Sequence, residues 1–353
     1  MKDIETVYIG IDLHSKTSMI GYMNHQGEYL GHQQVPTTST NLINQVTQIP
    51  GQVKKLTLEQ SNMAFWAANV LQQFVDELIV CDPRENALIS SSHNKNDRLD
   101  TLRLCKLLRL GELTPIWRPK HLGIRRLFYG QLKEYQRLIK TLSIHKRQLG
   151  DLLRHWGINR KVAAADYKHP EKLLGEVEDP LLKEEVSEKV RFIRTVEAQK
   201  ERQKERFQKT GKQFWEITEF RKIPGIGPVG AHTFSAYIQT PHRFGRAGQL
   251  IKFCRLAVRK FTSDGKKVRS ERLSKAGHGC LKNLAHIAWK SSLKSENPVS
   301  GYYQSVLNES GNDIHARLAT QRKILITMWA LWKNGEAYDP KKLTYKYNGD
   351  SDR

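Results

Sequence analysis

Short apolar runs alternate with polar turns through the first eighty residues of the chain. Runs of this kind predict strands, whereas apolar positions spaced three and four apart predict helices. Two helices are expected, near Thr40–Gln48 and Met63–Val75. The expected strands are Val7–Asp12, Thr17–Met23, Glu28–Pro36, Lys55–Glu59 and Leu78–Cys81. Three strands followed by a strand–helix–strand unit predict a mixed α/β sheet with helices packed on it.

The middle of the chain has a different pattern. Long charged segments carry apolar residues at every third or fourth position, and a polar break containing "YKHPEK" separates them. This pattern predicts an antiparallel helical hairpin or coiled coil. Such a hairpin serves either as a spacer with a solvated surface or as a dimerisation arm, and no site residue is predicted in it.

The last part of the chain predicts a compact, mainly helical region. In "IPGIGPVGA", a Gly-x-Gly turn between two helical patterns resembles a helix-hairpin-helix, which exposes backbone N–H groups at a helix N-terminus. Gly225 and Gly227 are therefore candidate phosphate contacts, although a plain helix–turn–helix packing unit explains the same pattern. The segment "LAVRKFTSDGKKVRSERL" predicts a β-hairpin with Asp264 and Gly265 at its turn.

These patterns divide the chain into three domains and a tail. We expect an α/β domain at residues 1–118 and an all-α, coiled-coil middle at 119–212. A mainly helical C-terminal domain with the β-hairpin is expected at 213–340, followed by a tail at 341–353.

The charge of the chain adds a partner to this outline. Its 353 residues have a formal net charge of +22. Residues 1–110 contain 10 Lys/Arg and 11 Asp/Glu, whereas the rest of the chain contains 48 and 25. Such an excess of positive charge predicts a polyanion as partner, bound mainly by the last two thirds of the chain. An anionic membrane surface would also attract basic charge, but no compact basic amphipathic anchor stands out.

Cysteine usage and the start of the chain predict a cytoplasmic protein. The four cysteines are far apart and include no C-x-x-C pair, which argues against zinc fingers and against a disulfide scaffold. The opening "MKDIETVYIG" lacks a signal-peptide pattern, and no apolar run approaches membrane-spanning length.

Four carboxylates in the near-neutral first third form a candidate metal site. Asp12 and Glu59 each end an apolar strand, whereas Asp97 and Asp100 lie three residues apart and share one face of a helix. Mg²⁺ prefers oxygen ligands, and two such ions can assist phosphodiester chemistry. Each acid alone has a plainer explanation, as a turn former, a surface residue or a helix-capping group. The set as a whole favours metal-dependent nucleic-acid chemistry.

A serine in a basic hairpin is the second candidate. Ser263 precedes the Asp-Gly turn, and cations around an attacked phosphate can assist a serine hydroxyl as nucleophile. The surrounding cationic residues are Arg259, Lys260, Lys266, Lys267, Arg269, Arg272 and Lys275. The same residues also fit a turn serine on a phosphate-contacting β-ribbon. The residues alone therefore do not make Ser263 catalytic.

Both sets of motifs resemble one known family. In the first domain the resemblance rests on "YIGIDLHSK", "LEQSN" and "KNDRLDTLRLCKLLR". In the last it rests on "IPGIGPVGAHTFSAYI", "RFGRAGQLIKFCRL" and "SDGKKVRSERLSKAGHGCLKN". These segments are similar to insertion-sequence transposases with a RuvC-like DEDD domain, relatives of the Piv DNA invertase that are also called bridge-RNA-guided recombinases. The chain departs from the family at "RLAV" (Arg255–Val258), where members often have "GLTP", and at "EQSN", where they have "EATG" or similar.

The resemblance implies a fold and a set of roles. It implies an RNase H/RuvC-like first domain in which Asp12, Glu59, Asp97 and Asp100 bind Mg²⁺ (or Mn²⁺). It further implies that Ser263 attacks DNA to form a phosphoserine, with the metal site of a partner subunit completing the centre. A structured noncoding (bridge) RNA would pair with donor and target DNA. The expected assembly is a homo-oligomer, a dimer that assembles to a tetramer.

We therefore favour an RNA-guided DNA recombinase in which Arg269 and Arg272 neutralise charge at the attacked phosphate. His278 is a further candidate for proton transfer, although a structural role is simpler. One alternative is a metal-dependent nuclease of the Holliday-junction type, in which Ser263 is only a turn residue. Another is a non-catalytic nucleic-acid-binding scaffold, for which the four acids would be dispensable.

Overall fold

The computed structural model describes residues 6–82, 97–118, 123–160, 162–263 and 266–343. The chain divides into two compact units, residues 1–122 and 123–353. The first unit contains a sheet with helices, and the second is mainly helical, so the predicted α/β plus helical class is confirmed. The finer domain limits at 119–212 and 213–340 stay a prediction.

The first unit is a five-stranded mixed sheet with helices. The helices are α1 (Ser39–Gln48), α2 (Ala64–Leu71) and α3 (Asp97–Leu110). The strands are β1 (Thr6–Leu13), β2 (Thr17–Asn24), β3 (Tyr29–Pro36), β4 (Val53–Glu59) and β5 (Glu77–Cys81). Their order is β3-β2-β1-β4-β5, with β1–β2 and β2–β3 antiparallel and β1–β4 and β4–β5 parallel. The predicted mixed sheet is confirmed.

The central strand β1 is covered on both faces. Because side chains alternate along a strand, Val7, Ile9 and Ile11 point to the core that contains α1 and α2. Each of these side chains is fully or almost fully buried, and burying one such side chain contributes about 1.5–3 kcal/mol to stability. The opposite face, which includes Tyr8, packs against α3.

Two glycines bring α3 onto the sheet. Gly10 of β1 pairs with Gly21 of β2, and a Cβ at Gly10 would lie 2.7 Å from the carbonyl oxygen of Thr101 in α3. The hydroxyls of Tyr29 and Thr101 are hydrogen-bonded at 3.0 Å. Burial raises the pKa of the Cys105 thiol, which also faces Gly21, to about 12. The thiol is therefore protonated, and α3 lies close to the strand backbone at these two glycines.

The second unit has ten helices and one β-hairpin among its described residues. The helices are α4 (Ile124–His155), α5 (Ala164–Lys168), α6 (Glu171–Gly175), α7 (Pro180–Gly211), α8 (Trp215–Phe220), α9 (Pro228–Ile238), α10 (Ala247–Phe253), α11 (Gly279–Ser292), α12 (Pro298–Ser310) and α13 (Asp313–Asn334). The hairpin strands are β6 (Val258–Ser263) and β7 (Lys266–Leu273). None of the described helices is long and apolar enough to cross a bilayer.

The long helices α4 and α7 lie antiparallel, as the apolar spacing predicts. Near the start of α4, the rings of Tyr135 and Phe207 are 5.1 Å apart, and further along Lys146 Nζ lies 3.7 Å from Glu197 Oε1. The polar break between them is not a plain loop, because α5 and α6 bury Tyr167 and Leu173 in the same apolar cluster. Supercoiling and dimerisation of this pair stay predictions.

Candidate functional site

Two of the four candidate acids are neighbours at the C-terminal end of the parallel strands β1 and β4. β1 and β4 are parallel neighbours, and Ile11 pairs with Leu58 as the last residues in register. Asp12 and Glu59 follow this pair directly, so both lie at the C-terminal ends of their strands, Asp12 one residue before the end of β1 and Glu59 as the last residue of β4. The strand ends position these carboxylates because the apolar residues before them are locked into the core.

Helix α3 brings the other two acids toward this end of the strands. Near the C-terminus of α3, Arg109 donates to the carbonyl of His25 at 3.3 Å, in the turn between β2 and β3, which lies next to the start of β1. Thr101 lies over Gly10. The helix therefore runs antiparallel to β1. Its first turn, which contains Asp97 and Asp100, lies toward the end of β1 that bears Asp12. The backbone thus gathers all four predicted positions at one end of the sheet.

The side chains of two of the candidate acids contact basic neighbours. His14 Nε2 lies 3.2 Å from Asp12 Oδ2, and Arg103 donates to Asp100 Oδ1 at 3.2 Å. Asp12 is 24% exposed and Glu59 is exposed, while the side chain of Asp97 lies outside the described part of the structure. Among the described residues, no three His, Cys, Asp or Glu side chains are arranged to hold a metal ion.

The chemistry of the donors nevertheless suits magnesium, since carboxylate oxygens are the ligands that Mg²⁺ prefers. No role was predicted for His14, although its place two residues after Asp12 in "IDLH" is a visible signal. Asp12 and Asp100 would have to exchange the His14 and Arg103 contacts for the ion.

The predicted β-hairpin is present in the second unit. Ser263, the last residue of β6, pairs with Lys266, the first residue of β7. The predicted turn residues Asp264 and Gly265 lie outside the described residues, as do the side chains of Ser263 and of five of the predicted cations. Those five are Arg259, Lys260, Lys266, Lys267 and Arg269.

The backbone register sets two basic residues at opposed positions. Arg259 pairs with Arg272 across the hairpin. The register shifts on both sides of Phe261, so the ladder is irregular there.

A cationic cavity lies at the base of the hairpin. Its volume is about 740 Å³, and Arg272, Lys282 and Arg317 line it, with no Asp or Glu among its described lining residues. Arg272 and Lys275 are both exposed. Sequence reasoning found Arg272 and missed Lys282 and Arg317, because helices α11 and α13 bring these two cations in from later in the chain.

The Gly-x-Gly turn has two different glycines. Gly227 is exposed at the N-cap of α9, and a Cβ there would meet nothing within 4 Å. Gly225 has φ +86°, and its Cβ would lie 2.1 Å from the carbonyl oxygen of Ala288. Close packing on α11 is therefore a sufficient reason for glycine at position 225, and phosphate contact at either position stays a prediction.

His278 is held among aromatic rings at the N-cap of α11. Its ring centroid is 4.6 Å from that of Phe253 and 5.2 Å from that of Tyr237. Burial, followed by the positive charge of Arg243, Lys133 and Arg255, lowers the pKa of His278 to about 4. The ring is therefore neutral near pH 7, where a group with so low a pKa is a weak proton acceptor.

The sequence of this part of the chain is similar to that of a known transposase family. Residues 218–304 match the family described as Transposase IS116/IS110/IS902. The match contains the β6–β7 hairpin with Ser263 and lies within the second unit, so the four candidate acids are outside it. No curated protein matches the chain. The match supports an insertion-sequence transposase, an enzyme that acts on DNA.

Proposed function

We propose that this transposase is an RNA-guided DNA recombinase that cleaves and rejoins DNA through a phosphoserine on Ser263. The observation that carries the proposal is the position of Ser263. It ends β6 on a two-stranded hairpin rich in Lys and Arg, whose base borders a cationic cavity, and it lies within the segment similar to the transposase family. A DNA phosphodiester is the substrate group that such a surface attracts.

The serine step forms one bond and breaks one. The hydroxyl oxygen of Ser263 bonds to phosphorus, and the bond from phosphorus to one deoxyribose oxygen breaks. The proton of the serine hydroxyl is transferred to the departing deoxyribose oxygen, which leaves as a hydroxyl group. Arg269, which pairs with Phe261 two residues before Ser263, neutralises the additional negative charge of the transition state. Arg272, which was expected to share this role, pairs with Arg259 near the base of the hairpin and is proposed to contact the DNA farther from the attacked phosphate. Rejoining reverses the step, with a hydroxyl of another DNA end attacking the phosphoserine.

The four acids are proposed to bind Mg²⁺ (or Mn²⁺). Support comes from the strand register, which sets Asp12 next to Glu59, and from the direction of α3, whose first turn contains Asp97 and Asp100. When bound, the metal would supply a Lewis acid for phosphate oxygens. The protein's part is to hold the four carboxylates on backbone that the core fixes.

A structured noncoding RNA is proposed as the source of sequence choice. Residues 1–110 have a net charge of −1, so the net charge of +22 comes entirely from the residues after 110, where it is broad rather than gathered on one base-reading helix. Phosphate contacts position a nucleic acid without identifying its sequence, which base pairing to a guide can supply. Donor and target DNA are then the substrates, and a cytoplasmic homo-oligomer is the proposed form, with one subunit's acids acting beside another's serine.

The experiment looks for a covalent protein–DNA adduct on a denaturing gel. End-labelled DNA carrying the element's junction is incubated with the neighbouring noncoding RNA, Mg²⁺ and the wild-type, Ser263→Ala or Ser270→Ala protein. Ser270 lies on the other strand of the same hairpin and is the matched control. We expect an adduct with wild type and Ser270→Ala and none with Ser263→Ala. Cleaved DNA without an adduct in all three proteins would contradict the serine mechanism and favour a metal nuclease.

A further inference from the structure

A second cavity of the second unit adjoins the hairpin cavity. It has a volume of about 870 Å³ and lies between α4, the turn before α9 and the start of α11. Ligand sites typically have about 300–1,000 Å³, so this cavity is large enough for a small organic group. It borders the hairpin cavity only at Gly279 and Asn283, and no step of the proposed reaction uses it.

The charged groups of this cavity are all of one sign. Lys133, Lys140 and Arg255 line it, whereas no Asp or Glu occurs among its described lining residues in a chain that has 36 of them. Both Lys133 and Arg255 act on the neighbouring His278, lowering its pKa together with burial. Positive charges therefore crowd one side of the cavity, and a bound anion would stabilise them.

Arg255 is fixed in place by its backbone and by one hydrogen bond. Its φ is 57°, an uncommon value for a residue with a side chain, and its Nε donates to the carbonyl of Gly277 at 2.7 Å. Residues held in such conformations concentrate at functional sites. The hydrogen bond to Gly277 thus holds the guanidinium at the cavity wall.

Two isoleucines make part of the remaining wall apolar. Ile139 and Ile287 line the cavity and are 42% and 56% exposed, although both are large hydrophobic residues. The polar group of Tyr237 is already engaged, because its hydroxyl donates to Gln136 Oε1 at 2.6 Å. A fitting occupant thus has an anionic group for the cations and a flat or apolar body for the two isoleucines.

We propose that this cavity binds one unpaired nucleotide of a nucleic-acid strand. Its phosphate contacts Lys133, Lys140 and Arg255, and its base lies against Ile139 and Ile287. A base within a duplex is stacked and paired, so only an unpaired or extruded nucleotide can enter a pocket of this kind. The strand comes from RNA or from DNA, which share this chemistry. The inference goes beyond the proposed function, because it needs neither Ser263 nor the four acids.

The first test maps where an unpaired base lies. Short RNA and DNA strands that contain a thio-substituted pyrimidine are irradiated with the Ser263→Ala protein, which keeps binding separate from covalent chemistry. Cross-linked peptides are then identified by mass spectrometry. We expect cross-links within residues 133–140 or 277–288 for one or both strands, and the strand that gives them identifies the source. Cross-links confined to other peptides would overturn the proposal, as would equal labelling by a fully paired duplex.

The second test adds a negative charge to the cavity. Ile287→Glu places a carboxylate in the mouth, while Leu181→Glu is the matched control, since Leu181 is 74% exposed on α7 and outside the cavity lining. A carboxylate there repels the phosphate and removes an apolar contact of the base, so Ile287→Glu should reduce strand affinity and cross-linking by roughly ten-fold or more. Leu181→Glu should change neither. Equal affinity of the two variants would contradict the proposal.

The third test concerns the phosphate. Lys133→Gln should weaken strand binding and lower the slope of log affinity against log salt by about one, because one phosphate contact is lost. Lys183→Gln, an exposed lysine of α7 outside the cavity lining, is the charge-matched control and should leave the slope unchanged. The same slope for both variants would place the phosphate elsewhere and overturn this part of the proposal.

Discussion

The two units differ in what they bury. The buried polar side chains described in the first unit are all uncharged: Ser18, Asn24, Thr57 and Thr101. The second unit buries Glu216, Asp166 and His232. The candidate acids therefore stand on a core that depends on steric fit, whereas the candidate serine belongs to a unit whose core also depends on charge. The stabilities of the two units should therefore respond to different substitutions, steric ones in the first unit and charge-removing ones in the second.

The buried ion pair of the second unit shows this dependence most clearly. Glu216 is 0% exposed, and its Oε1 accepts hydrogen bonds from Arg125 at 2.9 Å and from Ser235 at 2.6 Å. The guanidinium of Arg125 lies 4.1 Å from the centroid of the Phe214 ring. Without Arg125, the carboxylate would be left charged in an apolar surrounding, which is costly.

The largest stability effect is therefore expected from Arg125→Met. Removing one partner of a buried pair costs about 3–5 kcal/mol, and hydrogen exchange should become faster in the second unit while that of the first stays unchanged. The double variant Arg125→Met/Glu216→Gln should recover part of the loss, because the buried group is then neutral. Equal acceleration of hydrogen exchange in both units would contradict the inference that this ion pair stabilises the second unit alone.

The matching change in the first unit is steric. Gly10→Ala would place a Cβ 2.7 Å from the Thr101 carbonyl oxygen and 2.9 Å from Leu104 Cβ. Overpacking of this kind costs about 1–3 kcal/mol, and the loss should be confined to the sheet and α3. Exchange of the amides in residues 97–110 measures it. Unchanged protection of α3 would show that the sheet can move to admit the methyl group.

A loss of stability below pH 6.5 is expected from one histidine of the second unit. The pKa of His278 is lowered from 6.5 to about 4 in the folded chain, so the unfolded chain binds its proton first as pH falls. Stability is fully present above pH 6.5 and decreases down to about pH 4, by about 1–2 kcal/mol for this half-buried ring. Urea unfolding across this range should show a smaller loss in His278→Phe, which keeps the ring contacts. Identical pH profiles would exclude His278 as the cause.

The smallest effect has the opposite sign. Gly130 lies inside α4, and a Cβ there would meet nothing within 4 Å. Gly130→Ala should stabilise the helix by about 0.5–1 kcal/mol, since glycine loses more conformational freedom on folding than alanine. The same substitution that disrupts the sheet at Gly10 is thus favourable in the long helix. A lower unfolding midpoint for Gly130→Ala would contradict this account.

Local patterns were sufficient for the strands but not for the long-range contacts. Apolar alternation placed all five strands within two residues of their limits, and the acids at strand ends stood out because carboxylates interrupt apolar runs. The pairing of Arg125 with Glu216 spans 91 residues, and no local signal joins them. The register that sets Asp12 beside Glu59 depends on parallel pairing that a sequence pattern alone does not fix.

The same limit applies to the second unit. The polar break between α4 and α7 hid two short helices, because each contributes only one or two buried side chains. The second cavity draws Lys133, Arg255 and Ile287 from distant parts of the chain. The Gly-x-Gly motif predicted that Gly225 contacts a phosphate. The structure shows that its positive φ and its close approach to Ala288 are enough to require glycine there.

The central claim is that the carboxylates of the first unit and the serine of the second serve one reaction. Its most direct test measures adduct yield with Ser263 intact, in Asp12→Asn and Glu59→Gln proteins loaded with the same RNA, DNA and Mg²⁺. Glu77→Gln is the control, because Glu77 lies at the start of β5, at the opposite end of the parallel strands, and pairs with Lys55 at the surface. We predict an adduct yield lower by roughly 100-fold or more for Asp12→Asn and Glu59→Gln, as expected when transition-state stabilisation is lost. The yield with Glu77→Gln should be near that of the wild type. Full adduct yield in Asp12→Asn and Glu59→Gln would contradict the claim and leave the serine acting without the acids.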